Sequence, residues 1–243
     1  MKRETGTALF LAAVIAAPLA AVPAQAQAPN AAERRAPTLT ITPASSLIRP
    51  DRATWLEVTA DFEGPRKFYN GVLVEMKSNR GSGYNYVTLT DPENDGVWKG
   101  RVKFDAFNAV PGAWRAESSA IDDDTAADVQ GPTTTFSLKF ATRLALAVKP
   151  KSVRRGGPVK VGGKLQTVGI AGGYTELAGR QVKIYFRPKG KSKWSLAGKA
   201  KTDALGRFTR TFRPKKSGAI VLVWSGNAQY APAKSKPIAV RVG

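Results

Sequence analysis

From Thr38 onward, apolar and polar residues alternate with period two along most of the chain. TLTITP alternates across Thr38–Thr42. TWLEVTAD sets Leu56, Val58 and Ala60 against Trp55, Glu57 and Thr59. GVLVEMK ends in the same alternation at Val74 and Met76. VWKGRVKF places Trp98, Gly100, Val102 and Phe104 on one face. GAWRAESSAID does so with Trp114, Ala116, Ser118 and Ala120, and TTTFSLKF with Thr134, Phe136, Leu138 and Phe140. Successive side chains of a strand point to opposite faces, so this spacing predicts half-buried antiparallel strands. The second half repeats the scheme through Leu144/Leu146/Val148, Val159/Val161, Val182/Ile184/Phe186, Phe208/Phe212 and Ile238/Val240/Val242. In RQVKIYFRP the opposite parity, Lys183, Tyr185 and Arg187, is expected to face outward. AIVLVWSG is apolar at both parities, as a central strand requires. DPENDG and AVPG supply turns. Outside the N-terminus no stretch has the spacing of an amphipathic helix. Many short strands with turn residues between them predict an all-β chain with a β-sandwich in each half.

The first residues are expected to be removed. Lys2 and Arg3 precede the apolar stretch Ala8 to Val22, which Pro18 interrupts. Ala24 and Ala26 in PAQAQA have the small-residue spacing of a cleavage site. This reads as a signal peptide over 1–26, too short and too broken for the ~20-residue helix that spans a bilayer. Residues 27–37, Ala/Pro-rich and without periodicity, read as a flexible lead-in. The sandwiches are placed at 38–140 and 141–243. SLKFATRLAL leaves almost no linker between them, which favours a fixed angle. The expected product is secreted: extracellular or cell-wall associated, or periplasmic in a Gram-negative host.

Charge separates the two halves. Between Gln27 and Phe140 there are 13 Lys and Arg and 15 Asp and Glu. Between Ala141 and Gly243 there are 23 Lys and Arg against Glu176 and Asp203 alone. A polar outer sheet face explains frequent lysine, which also guards exposed edges. It does not explain the near absence of acids, because a mixed-sign surface is equally soluble. An unbalanced basic domain attracts polyanions. The candidate polyanion-binding residues are Lys183, Arg187, Lys189, Lys191, Lys193, Lys199, Lys201, Arg207, Arg210, Lys215 and Lys216. Tyr185 and Trp194 are candidates for stacking, Trp194 with a core position as its alternative. The segment Arg187 to Lys216 is expected to form one strand–hairpin–strand face.

The chain has no His and no Cys. That excludes Ser-His-acid triads, cysteine nucleophiles, zinc sites and disulfides. No S-x-x-K occurs for a Ser–Lys dyad. Carboxylates that could pair for glycoside hydrolysis lie only in loops of the first half. The expectation is no enzyme and no cofactor. In DPENDG, Asp91, Glu93 and Asp95 match early positions of a calcium loop, but the closing position holds Val102 instead of Glu. A hairpin turn is the expected reading. Asp122 to Asp124, with Asp128 nearby, reads as a solvated loop that could assist calcium only if it faced the same end. No metal site is assigned.

The second half resembles a bacterial immunoglobulin-like domain. The likeness rests on TRLALAVKPKSVRRGGPVKVGGKL with its Pro/Gly-rich middle, AGRQVKIYFRPKGKSKW, and the T-D-x-x-G-x-F pattern of TDALGRFTRTFRP. It also rests on the closing GAIVLVWSGNAQYAPAKSKPIAVRV, with Asn227 where Asp is common. The first half resembles such a domain more loosely, through DPENDGVWKGRV and PGAWRAESSAID. The resemblance implies two tandem immunoglobulin-like β-sandwiches, as in secreted two-domain proteins of high-GC Gram-positive bacteria, acting as spacer, adhesion or accessory modules. The functional expectation is an exported non-enzymatic binding protein tethered by its basic domain. The partner is an anionic cell-wall polymer or acidic polysaccharide, with extracellular nucleic acid or an anionic lipid surface as further polyanions. The alternative is a spacer or accessory subunit that binds a partner protein, a role open to the first domain.

Overall fold

The computed structural model describes residues 36–243. The expected signal peptide and nearly all of the lead-in lie outside the described residues. Among these there is no helix, and the strands fall into four sheets. Residues Thr38 to Phe140 form β1 (Thr38–Thr42), β2 (Ser45–Ile48), β3 (Thr54–Asp61), β4 (Phe68–Ser78), β5 (Tyr84–Leu89), β6 (Val97–Phe104), β7 (Gly112–Asp122) and β8 (Asp128–Phe140). One sheet is ordered β1-β3-β6 and the other β2-β8-β7-β4-β5.

The rest of the chain forms β9 (Thr142–Lys149), β10 (Ser152–Val153), β11 (Val159–Val168), β12 (Tyr174–Glu176), β13 (Gln181–Pro188), β14 (Ser195–Lys201), β15 (Arg207–Phe212), β16 (Gly218–Trp224), β17 (Ala233–Lys234) and β18 (Ile238–Val242). Here β11 pairs with β9 on one side and with β15 and β12 on the other. The facing sheet is β10-β18-β16-β13-β14, and β17 pairs with β16. The two halves therefore share one plan. In each, the opening strand ends at an X-Pro bond, Thr42–Pro43 or Lys149–Pro150, both cis. A short strand then joins the other sheet, parallel to the last strand: β2 beside β8, β10 beside β18. Two facing sheets, three strands on five in the first half and four on six in the second, with the opening strand divided between them, make the immunoglobulin-like sandwich.

The predicted parities hold. Leu56, Val58 and Ala60 are buried while Trp55 and Glu57 are exposed. Trp114 is the largest fully buried side chain. It meets Phe104 edge-on at 5.0 Å and Phe136 at 5.9 Å, and its indole N–H donates to the Val110 carbonyl at 2.8 Å. Burying each such side chain contributes roughly 1.5–3 kcal/mol. The second core gathers Val161, Leu165, Ile184, Phe208, Ile220, Leu222 and Trp224. Gly163 must be small there, because a Cβ would lie 2.6 Å from the Ala145 carbonyl oxygen and from the Phe208 ring. As its two-sided apolarity requires, β16 is a central strand, with Val221 buried on the outer face and Leu222 on the inner.

One residue, Ala141, separates β8 from β9. Its N–H donates to the Ile48 carbonyl at 2.9 Å, and its carbonyl accepts from the Val168 N–H at 3.2 Å and the Thr167 hydroxyl at 3.3 Å. The β16–β17 turn adds two more bonds, Phe140 N–H to the Gln229 carbonyl and Ala231 N–H to the Phe140 carbonyl. Val168 belongs to the core cluster of the first sandwich, and Tyr230 packs against both cores.

Candidate functional site

Strand direction decides where the charge collects. In the second sandwich β9, β13, β15 and β18 run away from the Ala141 junction, and β11, β14 and β16 run back towards it. The far pole therefore holds the β9–β11 connection, the β13–β14 hairpin, the β15–β16 loop and the end of β18. Backbone bonds tie these segments together: Lys189 N–H to Ser217 O at 2.8 Å, Gly156 N–H to Pro214 O at 2.9 Å, and Arg241 N–H to Lys151 O at 2.8 Å. They carry Lys149, Lys151, Arg154, Arg155 and Lys160, then Lys189, Lys191 and Lys193, then Arg213, Lys215 and Lys216, and finally Arg241, all exposed. No Asp or Glu lies in them.

Both acids of this half sit at the opposite end. Glu176 is on β12, paired with the junction end of β11 at Gln166. Asp203 is fixed in the β14–β15 turn, where its carboxylate accepts the Leu205 and Arg207 N–H groups. Glu176 pairs with Lys164 at 2.8 Å, and the Lys164 hydrogen bond holds its carboxyl below the ordinary glutamate range. In the first sandwich opposite charges meet across the surface, as in Lys99–Glu93, Arg101–Glu57 and Arg115–Glu117. Among the described residues of the second, Lys164–Glu176 is the only ion pair. Two like-charge pairs stand directly opposite without a compensating acid, Lys183 with Lys199 and Lys149 with Lys160. Such pairs each cost up to about 1 kcal/mol.

The structure does not gather the predicted polyanion-binding residues on one face. Lys183, Arg187, Lys199 and Lys201 are on the β13–β14 side, with Lys189, Lys191 and Lys193 in its hairpin. Arg207 lies on β15 in the opposite sheet. The cause is topological: the chain crosses between the two sheets after β14, so neighbours in sequence part in space. Arg210 also bridges the two sheets. Its parity on β15 is that of Phe208 and Phe212, yet it is exposed. Its guanidinium donates to the Lys199 carbonyl at 2.7 Å and lies over Gly198, where a Cβ would come within 2.8 Å. It closes the open edge between β14 and β15, while its charge stays exposed and, among the described residues, without a carboxylate partner. Lys201 and Arg207 sit near the junction, away from the pole that Lys215 and Lys216 share.

Tyr185 faces outward as expected, half-buried, in register with Leu196 and Val221. Trp194 belongs to neither core. The Arg187 guanidinium lies 4.7 Å over its ring, so one ring face is taken. The pole cations that sequence reasoning passed over, Lys149, Lys151, Arg154, Arg155, Lys160, Arg213 and Arg241, come from segments that the parallel β10–β18 pairing and the Gly156–Pro214 backbone bond unite.

A trough of about 870 Å³ opens at this pole on the outer face of β13, β16 and β18. Arg187, Lys189, Lys191 and Arg241 line it, together with Ser152, Ser217, Ala219 and Ala239.

In the first sandwich the DPENDG segment is a turn. Asn94 and Gly96 have φ of 51° and 86°. The Asp91 carboxylate accepts the Asp95 and Gly96 N–H groups, and Asp95 accepts that of Val97. The Asp122–Asp124 loop does share its end, but Arg66 and Lys67 line the cavity between the two loops. Hydrogen bonds from the Thr125 hydroxyl and N–H hold the Asp122 carboxyl below its usual range. Among the described residues no three carboxylates converge on a cation site. The outer face of β4, β5 and β7 instead exposes Tyr69, Leu73, Tyr84, Tyr86 and Ile121 together. Tyr84 donates to Glu75 at 2.6 Å, which lowers the Glu75 carboxyl and raises the Tyr84 phenol.

No family model matches the chain, and no curated protein matches it. Among solved structures it is similar to the D0-D1 domain of intimin, at 14% identity, over 84% of this chain and 97% of that one, TM-score 0.29. It is similar to the Yersinia pseudotuberculosis adhesin InvE at 11% identity, over 84% of this chain and 58% of that one, TM-score 0.35. It is also similar to a candidate superoxide reductase from Thermotoga maritima at 15% identity, over 41% of this chain and 86% of that one, TM-score 0.31.

Proposed function

We propose that this chain is an exported, non-enzymatic surface-binding protein whose second sandwich tethers it to an anionic cell-wall or matrix polymer. The observation that carries the reading is the far pole: four hydrogen-bonded segments rich in Lys and Arg, with both acids of that half at the other end. Unpaired cations on one pole raise the local concentration of a polyanion and repel one another in its absence. The lack of His and Cys removes most catalytic chemistry from the chain. The test is retention of the purified protein on isolated cell-wall material with and without its anionic polymers. Retention that needs the polymer supports the reading. Equal retention on stripped material, or none at physiological ionic strength, overturns it.

A second surface favours an additional contact. The exposed Tyr69, Tyr84 and Tyr86 beside Leu73 and Ile121 have the aromatic character of protein interfaces. On the alternative reading, a spacer or accessory subunit bound to a partner protein there, charge reversal at Lys189, Lys191 and Lys193 leaves retention unchanged.

A further inference from the structure

Within the basic pole, the trough on β13, β16 and β18 differs from a diffuse charged surface in being built. Its floor is low because Ala219 and Ala239 stand opposite one another on adjacent strands. One wall is the Pro188–Lys191 hairpin, pinned by the Lys189 and Lys191 N–H groups on the Ser217 and Pro188 carbonyls. The other wall is the β10–β18 edge, pinned by the Arg241 N–H on the Lys151 carbonyl. Its volume falls in the roughly 300–1,000 Å³ range of ligand sites, far more than one small ion fills. Arg187, Lys189 and Lys191 approach from one wall and Arg241 from the other. No Asp or Glu side chain lines the trough, and among the described residues none of the four cations has a carboxylate partner.

Arg187 is also prepared for a ligand. Its guanidinium lies over the Trp194 ring, which holds the planar fork in place and leaves its in-plane N–H donors free.

We propose that this trough is a subsite for a phosphate-bearing stretch of an extended polyanion, gripped by Arg187 and Arg241 with Lys189 and Lys191 alongside. The proposal rests on the polymer-tether reading and names the chemistry of its ligand. A phosphate presents tetrahedral oxygens that accept from donors on both walls at once. A carboxylate holds its two acceptor oxygens and their lone pairs in one plane, which suits donors from one side better than donors from two walls.

The test is calorimetric titration of the full chain with linear inorganic polyphosphate, and with poly-glutamate of the same charge number, at one fixed ionic strength. Trp194→Leu removes no charge and lies outside both cores, yet it should weaken polyphosphate binding about threefold, the scale of a lost cation–π hold. Arg187→Gln and Arg241→Gln should each weaken it about tenfold or more, as loss of a hydrogen bond between charged groups does. Arg187→Lys, which keeps the charge and loses the fork, should also weaken it. The controls Lys201→Gln and Arg207→Gln, near the junction, should change it less than about twofold, since charges beyond a Debye length are screened. If Trp194→Leu and Arg187→Lys bind as the unaltered protein does, and Arg187→Gln is no worse than the controls, the subsite is refuted while the charge-based tether stands. Poly-glutamate binding as tightly as polyphosphate refutes the phosphate assignment. Absence of polyphosphate binding at that ionic strength refutes both readings.

Discussion

Val168 offers a sharp test of how the two sandwiches depend on each other. It ends β11, a strand of the second sandwich, yet its side chain is 2% exposed and belongs to the core cluster of the first. Val168→Ala removes two methyl groups there. At about 0.8 kcal/mol for each buried carbon, the transfer loss is roughly 1.6 kcal/mol. Incomplete collapse of the small cavity brings the total to about 2–2.5 kcal/mol. A unit of this size loses roughly 2–4 °C in Tm per kcal/mol, so the midpoint should fall by about 4–10 °C. The comparison is Val161→Ala, fully buried in the second core alone. Because Val168, Tyr230 and the Ala141 bonds join the cores, thermal unfolding followed by tryptophan fluorescence and by circular dichroism should give one transition. Both substitutions should shift it together. Two transitions, with Val161→Ala moving only one and Val168→Ala moving neither by more than about 1 °C, would refute the reasoning.

Gly206→Ala should destabilise the protein by about 1–3 kcal/mol, because its φ is +68° and a Cβ would lie 2.4 Å from the Leu165 carbonyl oxygen; a denaturant midpoint measures it. Glu75 should titrate below a free glutamate by carbon NMR, chiefly through the Tyr84 hydroxyl, and Tyr84→Phe should return it towards the ordinary range. Since its folded pKa is depressed, the small stabilisation from Glu75 is present above the unfolded glutamate pKa and is lost as pH falls through the folded value. Polymer retention should stay constant between about pH 5 and pH 8, because the chain has no His, the side chain that ordinarily changes charge in that window; a decline there would point to a titrating group outside the basic pole.

The strands with long alternation were legible from sequence because burial on one face imposes period two. β3, β6, β7 and β13 fall where the pattern puts them, and β16 shows its central place by being apolar at both parities. β2 and β10 were not legible. They are four and two residues long, too short for a period, and they follow a proline into a parallel pairing that no local signal marks. β14 was hidden for another reason. Its inward positions are Ala197 and Ala200, too small to stand out, while Leu196 is half exposed.

The candidate site shared these limits. The excess of cations is plain from composition, and Lys189, Lys191, Lys193, Lys215 and Lys216 do reach the pole. The expected single face fails because the crossover between sheets after β14, which cannot be read from spacing, puts Arg207 on the other sheet near the junction, while Arg210 reaches back only as far as β14. Arg154, Arg155 and Arg241 join the pole through the parallel β10–β18 pair and the Gly156–Pro214 backbone bond. The placement of Glu176 and Asp203 at the junction end, which makes the charge polar as well as large, is likewise a product of topology.

The most direct test of the tether is a salt series of binding to a wall-derived anionic polymer. It compares the unaltered chain with Lys189, Lys191 and Lys193 all changed to Gln, and with Lys201, Arg207 and Lys234 all changed to Gln near the junction. The unaltered chain should show a log–log slope on the order of −4 or steeper, as counterion release requires. The pole variant should flatten that slope by roughly 2–3 units, at about 0.7–0.9 for each lost contact, and the junction variant by less than about 1. Equal slopes for the two variants, or no binding by the unaltered chain at physiological salt, would contradict the account.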